Sequence, residues 1–180
     1  MRWIMTLVFA SVLAPVTVWA APGLLTPPTL KEGQSVYTIP DGFDPKGIGR
    51  NGLNQIQEAA KSLQFPFYVV IVDSIPGMAG DQVDDARAHG YTEGGDDLMA
   101  AYAIDKLAED MAAAYPFYKA DTSTVFLLSY TPRKFRMLAG SKWKTQLGLE
   151  KNALVRYHDN FKRAITGTPK DPKNGIINTM

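Results

Sequence analysis

Six carboxylates lie close together in one region of the chain. They are Asp81, Asp84, Asp85, Glu93, Asp96 and Asp97. Carboxylates held side by side repel one another unless a divalent cation or basic side chains neutralise them, and oxygen ligands favour Ca²⁺ or Mg²⁺. The spacing lacks the alternating ligands and central glycine of an EF-hand. In the structural alternative, Asp81 and Asp96 are helix caps. That alternative places Asp84 and Asp85 on a solvated helix face.

Another carboxylate, Asp73, directly follows a run of apolar residues. Residues 67–72 predict a buried strand, and Pro76 and Gly77 predict a loop soon after it. Open α/β sheets bind ligands at the carboxyl edge of their parallel strands. Asp73 is therefore a candidate ligand, with turn formation as the alternative.

Positive charge concentrates at a predicted β-hairpin. An apolar strand at residues 125–129 is followed by a turn at Pro132 and an alternating strand at residues 135–139. The candidates for contact with a phosphate, an anionic headgroup or an acidic partner are Arg133, Lys134 and Arg136. The alternative is that they keep an exposed edge strand from pairing with another sheet.

Motifs of several enzyme classes are absent from the sequence. It contains no P-loop, dinucleotide-binding fingerprint or HExxH motif, and no serine in a Gly-x-Ser-x-Gly context. It also contains no cysteine, which excludes disulfides, thiolate metal sites and a cysteine nucleophile. His89 follows Asp85 at a helical spacing of four residues, which favours a surface pair over a metal site.

Helical and strand patterns alternate along the chain. Besides the strands above, we predict a short strand at residues 36–39 and helices near residues 51–63, 82–89, 98–115 and 149–165. This order predicts an α/β fold in which helices pack on a small mixed sheet as an αβα sandwich, in a single domain over residues 41–180. The long helical connection between the strands at 67–72 and 125–129 predicts that they are parallel. Residues 166–174 are predicted to be a loop, and 175–180 to end without a closing element.

The first twenty residues have the pattern of a secretory signal. Arg2 precedes a mostly apolar run, and Val18 and Ala20 form a small-x-small-like cleavage site. The apolar run is shorter than a bilayer-spanning helix requires, which disfavours an uncleaved anchor. We therefore predict cleavage near Ala20, an exported protein, periplasmic or secreted, with no transmembrane helix in the mature chain. An extended lead-in follows over residues 21–40.

The charge balance argues against nucleic-acid binding. The chain has 19 Lys and Arg against 18 Asp and Glu, and loss of Arg2 with the signal makes the two equal. A neutral chain exerts no general attraction on nucleic acid or anionic lipid. The partner we expect is an envelope protein.

The order of these motifs resembles the TPM domain, a family named for a thylakoid lumen protein, a photosystem II repair protein and a nematode acetylcholine-receptor modulator. The resemblance spans roughly residues 41–180. Its matching segments are residues 51–63, Tyr68-Val69-Val70-Ile71-Val72-Asp73-Ser74, 81–88, 125–129 and 136–140. The chain has Asp121-Thr122-Ser123 where the family usually has Asn-Gly, and the family's Trp-Gly-x-Gly segment is not recognisable.

The resemblance implies a divalent-cation site and, through the thylakoid member, acid phosphatase activity. It places Asp121 near the family's acidic pocket. The predicted ligands of Ca²⁺ or Mg²⁺ are therefore Asp73, Asp84, Asp85 and Asp121. One function is a binding or assembly module of the cell envelope. The alternative is a metal-dependent phosphatase whose carboxylates hold an ion that activates water. The missing Asn-Gly pair and the lack of a dense ligand motif favour the module.

Overall fold

A computed structural model describes residues 23–142, 161–164 and 170–180. The predicted signal segment and most of the predicted helix at 149–165 lie outside the described residues, although 161–164 are helical. The strands are β1 (Val36–Ile39), β2 (Phe67–Ser74), β3 (Thr124–Thr131) and β4 (Lys134–Ala139). The helices with defined bounds are α1 (Gly49–Lys61), α2 (Gly80–Ala88), α3 (Gly95–Ala114) and α4 (Pro172–Ile177).

The four strands form one mixed sheet in the order β1-β2-β3-β4. Strands β1, β2 and β3 are parallel, and β4 runs antiparallel to β3. The predicted parallel pair and the predicted hairpin are both confirmed. Because β4 lies at the end of this order, two of the basic residues of the hairpin, Lys134 and Arg136, are on an edge strand.

Helices cover both faces of the sheet. In β2, Tyr68, Val70 and Val72 belong to a core shared with α2 and α3, whereas Val69 and Ile71 belong to a core shared with α1. Side chains alternate between the faces of a strand, so a strand buried on both sides must be apolar throughout. This explains the continuous apolar run and confirms the predicted α/β architecture.

The two crossover connections pass over opposite faces of the sheet. Helix α1 joins β1 to β2 on the face of Ile56 and Ile71, whereas α2 and α3 join β2 to β3 on the face of Val70 and Leu107. From β1 to β2 and from β2 to β3 the chain moves in the same direction across the sheet. The first connection lies on one face of the sheet, and the second lies on the other. The two crossovers therefore have opposite handedness, and one departs from the usual right-handed rule.

The predicted lead-in contributes to the core. Leu24, Leu25 and Leu30 are buried with the residues of α3. The Tyr115 hydroxyl, just beyond α3, donates to the Pro28 carbonyl at 3.1 Å. These contacts hold the segment before β1 against the sheet.

A side chain of α1 satisfies the main chain before the edge strand β1. The Gln57 Oε1 accepts from the backbone N–H groups of Ser35 at 2.8 Å and Val36 at 3.0 Å, and its Nε2 donates to the Gly33 carbonyl at 3.1 Å. These hydrogen bonds hold residues 33–36 in place. They also pair backbone N–H groups that an edge strand would otherwise leave unpaired.

Helix starts differ from the prediction. Helix α2 is preceded by Ala79, whose N–H donates to the Gln82 side chain at 2.9 Å, and α3 is preceded by Gly94. Asp81 and Asp96 are therefore not caps; they lie in the first turn, where a carboxylate favours the positive end of the helix dipole.

The chain end is also more ordered than predicted. Helix α4 begins at Pro172, inside the predicted loop, and Asp171 caps it by accepting from the Asn174 N–H at 3.0 Å. Ile176 is fully buried in the core under α1. The prediction that the chain stops without a closing element is wrong. The Asp-Pro pair is a helix-start signal, with a capping carboxylate followed by proline at the first position.

Gly140, directly after β4, provides a test of the hairpin's packing. A Cβ added there would overlap main-chain atoms of Asp121 and lie 2.7 Å from the Ala120 carbonyl oxygen. We expect Gly140→Ala to lower the free energy of unfolding by about 3 kcal/mol, because a backbone contact cannot rotate away. In the control Gly77→Ala, the new Cβ has no atom within 4 Å, and we expect a change below about 0.5 kcal/mol. Equal midpoints in urea for the two variants would contradict the packing.

Candidate functional site

Two of the predicted metal ligands lie at opposite ends of the parallel strands. Asp73 is exposed near the carboxyl end of β2, and Asp121 is exposed just before β3 begins. The parallel register pairs Phe67 with Thr124 and Ser74 with Thr131. The length of these strands therefore separates the two carboxylates, by more than about 20 Å at the usual rise per residue. They cannot ligate the same ion.

The other two predicted ligands, Asp84 and Asp85, point in different directions from α2. Neighbouring residues of a helix do not face the same way. Asp84 is exposed, as the solvated-face alternative expects. Asp85 faces α3, and its side chain is only 16% exposed. The four carboxylates do not converge. Across residues 23–142, 161–164 and 170–180, no group of three or more acidic, histidine or cysteine side chains is placed to hold a metal ion. Binding of Ca²⁺ or Mg²⁺ stays a prediction.

Asp85 belongs to a polar cluster between α2 and α3. The Tyr102 hydroxyl donates to its Oδ2 at 2.9 Å, and the Lys106 Nζ lies 3.4 Å from the same oxygen. The His89 Nδ1 lies 3.3 Å from Oδ1, which is the predicted surface pair. Tyr102, Lys106 and His89 therefore surround the Asp85 carboxylate. The Lys106 ammonium supplies the compensating charge.

Lys106 is the buried cation of this cluster. Its side chain is 11% exposed, and its Nζ also contacts the Glu109 carboxylate at 3.1 Å and lies 5.6 Å above the centre of the Tyr102 ring. The two mostly buried charges, Asp85 and Lys106, thus have opposite charges beside them, as burial requires. The arrangement is that of a structural ion pair joining two helices.

The pKa values of the pair reflect this pairing. Partial burial raises the pKa of Asp85, but the hydrogen bond from Tyr102 and the charge of Lys106 outweigh it and leave the pKa below its ordinary value. Burial lowers the pKa of Lys106, but Glu109 and Asp85 together raise it overall. For Tyr102, burial and the bond to Asp85 raise the pKa. All three shifts keep Asp85 and Lys106 charged and Tyr102 protonated at neutral pH.

A second tyrosine extends the same cluster. The Tyr91 hydroxyl donates to the Asp105 carboxylate, and the Arg87 side chain donates to the Tyr91 carbonyl at 2.7 Å. The Tyr91 and Tyr102 rings meet edge to face with centroids 6.5 Å apart. These contacts tie the segment between α2 and α3 to the surface of α3.

The basic hairpin contacts the beginning of α3. The Lys134 Nζ lies 3.0 Å from the Asp97 Oδ1, and the Arg136 Nη2 lies 3.6 Å from that oxygen and donates to the Asp97 carbonyl at 3.1 Å. Arg133 is exposed in the turn. Two of the three predicted anion contacts thus pair with a carboxylate of the same chain, at partly exposed positions.

An open groove of about 460 Å³ lies where β1 and β2 begin, at the end of the sheet that we call its amino edge. Its aromatic wall includes Phe65, Phe67, Tyr68 and Phe117. Phe117 is 41% exposed, and among the described residues it is the one large apolar side chain with such exposure. The sequence reasoning did not identify this groove, although Pro116-Phe117 directly after a predicted helix is a visible signal.

Comparisons of the chain with protein-family models, with curated proteins and with solved structures find no match. The similarity to the TPM domain therefore stays a resemblance. Among the described helices, none combines the length and apolar character needed to cross a bilayer.

The ion pair can be tested by removing its cation. We expect Lys106→Met to lower the free energy of unfolding by about 2–3 kcal/mol, because it leaves Asp85 without a counter-charge in a mostly buried position. The matched control is Lys61→Met, which breaks the exposed Lys61–Glu58 pair and is expected to cost less than about 0.5 kcal/mol. In a double-mutant cycle, Asp85→Asn should cost less in the Lys106→Met background than alone. Additive losses would show that the two charges do not interact.

The depressed pKa of Asp85 predicts how this stabilisation depends on pH. The unfolded chain binds the proton more tightly than the folded chain. The contribution is therefore present above the unfolded-state pKa, about 4, and is lost as the pH falls through the folded-state pKa. In urea unfolding, the stability gap between wild type and Asp85→Asn should be wide at pH 7 and narrower at pH 2.5. A gap independent of pH would contradict the assignment.

A comparison of variants at Asp96 and Asp97 separates the effect of the hairpin contact from the effect of the helix dipole. Both lie in the first turn of α3, but only Asp97 reaches Lys134 and Arg136. We expect Asp97→Ala to cost about 0.5–1 kcal/mol more than Asp96→Ala. Because the charges are partly exposed, 0.5 M NaCl should reduce that difference. Thermal unfolding of the two variants with and without salt measures it, and identical melting temperatures would exclude the contact.

Proposed function

We propose that this chain is an exported binding or assembly module of the cell envelope. The observation that carries the proposal is the open groove at the amino edge of the sheet, with Phe117 exposed at its side. An apolar side chain exposed beside a concave, aromatic-lined surface can be covered by an apolar group of a partner, and that burial is favourable in water. The groove thus supports recognition of a protein partner.

The distribution of the carboxylates also favours binding over catalysis. The phosphatase alternative needs several carboxylates around one ion, with a water between the ion and the substrate. Asp73 and Asp121 lie at opposite edges, Asp84 faces solvent, and Asp85 is paired with Lys106. The described geometry therefore gives these four carboxylates no common centre.

The chain is compatible with export although it has no disulfides. It lacks cysteine and therefore disulfides, yet two apolar cores and a mostly buried ion pair hold the helices to the sheet. A domain built in this way does not depend on the redox state of its compartment. Export itself rests on the signal-like first twenty residues.

Site-specific photocrosslinking in the native host tests the proposal. The full chain would carry a photoreactive phenylalanine analogue at position 117 or, as a control, at exposed position 84 on α2. We expect the mature protein to begin near Ala21 in the exported fraction. We also expect one discrete crosslinked protein from position 117 and none from position 84, with the pairing reproduced by the purified partner. The absence of a crosslink at 117, or cytoplasmic retention with an intact signal, would contradict the proposal.

The same preparations test the phosphatase alternative. Purified mature protein would be assayed for phosphomonoester hydrolysis with Ca²⁺, with Mg²⁺ and with EDTA. We expect no turnover and no metal-dependent shift in melting temperature. Metal-dependent turnover that is lost in Asp73→Ala, with folding intact, would replace the module by the enzyme.

A further inference from the structure

The chemistry of the amino-edge groove indicates what kind of partner it fits. The groove is formed by residues 31–35 before β1, by residues 60–68 between α1 and β2, and by Phe117. Its aromatic residues pack on one another: the Phe65 and Phe67 rings are 6.3 Å apart, and Phe117 lies 5.7 Å from Tyr115. The aromatic wall is therefore supported from behind, which suits an apolar side chain inserted from solvent.

The polar residues at the rim of the groove are mostly basic or neutral. Lys31 and Lys61 line it, with Glu32 as the acidic residue among the lining positions. Lys61 contacts Glu58 at 3.0 Å, but both side chains are at least half exposed. Exposed pairs of this kind are weak and exchange readily with other partners. Both lysines are therefore accessible to a carboxylate on a bound molecule.

The surrounding edge carries two further lysines. Lys119 follows α3, and Lys142 follows β4, where its N–H donates to the Asp121 carbonyl at 3.0 Å. Both side chains are exposed. Asp121 is exposed at the same edge and offsets one of these two charges. Local charge of this kind selects partners of opposite sign.

Gln64 provides unoccupied hydrogen-bonding groups at the groove. It lies on the connection between α1 and β2, is exposed, and makes no hydrogen bond within the described part of the chain. A carboxamide can both donate to and accept from a peptide main chain. An extended segment, whose backbone groups are not paired internally, is the form of peptide that can use it.

We infer that the amino-edge groove binds an extended protein segment in which acidic residues flank an apolar side chain. The apolar side chain contacts Phe117 and Phe65, and the acidic residues pair with Lys31 and Lys61. This inference rests on the proposed function and names its partner class. A membrane surface fits less well, because one exposed phenylalanine beside a concave groove does not form the broad apolar face that interfacial binding requires.

Peptide titrations of the isotopically labelled mature chain test the inference. The probe is a blocked octapeptide in which Glu alternates with Leu and Phe, and its match carries Lys in place of each Glu. We expect backbone amide shifts at Gln64 and at the residues flanking Phe117 with the acidic peptide only. The dissociation constant should rise at least tenfold in Phe117→Ser and in the double variant Lys31→Glu/Lys61→Glu, and severalfold in 0.5 M NaCl.

The control variant changes the net charge by the same amount as Lys31→Glu/Lys61→Glu, but at a site away from the groove. Lys46→Glu/Arg133→Glu reverses two exposed cations beyond the carboxyl edge and should leave the affinity within twofold. The inference is overturned if both peptides bind equally or if the control weakens binding as much as the groove variant. It is also overturned if vesicles containing phosphatidylglycerol, and not the peptide, show the dependence on Phe117 and the lysines.

The outcome is distinguishable from failure of the proposed function. A crosslinked partner at position 117 combined with indifference to peptide charge would leave the module standing and remove the acidic partner class. Failure of the crosslinking experiment, with no partner at position 117, would remove the module itself.

Discussion

Strand β2 contributes six consecutive side chains, Phe67 to Val72, to two cores on opposite faces of the sheet, and all six are at most 7% exposed. Each fully buried aliphatic or aromatic side chain is worth about 1.5–3 kcal/mol, so this strand is a major source of stability. Burying both faces requires a helical layer on each. The requirement explains why α1 and α4 lie on one side and α2 and α3 on the other, although the strand order would ordinarily place both crossovers on the same face.

Helix α3 is the element through which this constraint reaches the surface. It runs for 20 residues, about 30 Å at the helical rise. It therefore extends along the sheet from the carboxyl ends of the parallel strands, beside the hairpin turn, to their amino ends, beside the groove. Its beginning contacts the hairpin through Asp97, its middle is joined to α2 through Lys106, and Tyr115 just beyond it bonds to Pro28. Polar contacts at three points fix the helix axially, which apolar packing alone does weakly because it is non-directional. Phe117 follows this helix two residues after Tyr115.

Local pattern predicted the sheet well and the contacts between helices poorly. The apolar run of β2, the hairpin at Pro132 and the parallel crossover are short-range or length-based signals. The pairing of Asp85 with Lys106 joins two helices, and no local spacing specifies it. Lys106 could still have been noticed as the lone basic residue of α3. The lead-in resembled a linker by composition, but its leucines are buried because the sheet leaves an apolar face beside α3 that they can cover.

The groove follows from where parallel strands begin. In β1 and β2 the chain enters the sheet at the same edge, so the preceding segments must meet there, and the end of α3 returns to that edge before β3. Gln57 fixes one of these segments from α1, while Pro66 and Pro116 prevent regular structure from closing the space between the others. Phe117 lies on the last of these connections and is exposed there. Its exposure is therefore a consequence of how the connections end, and covering it with an apolar side chain would gain hydrophobic free energy without rearranging the sheet.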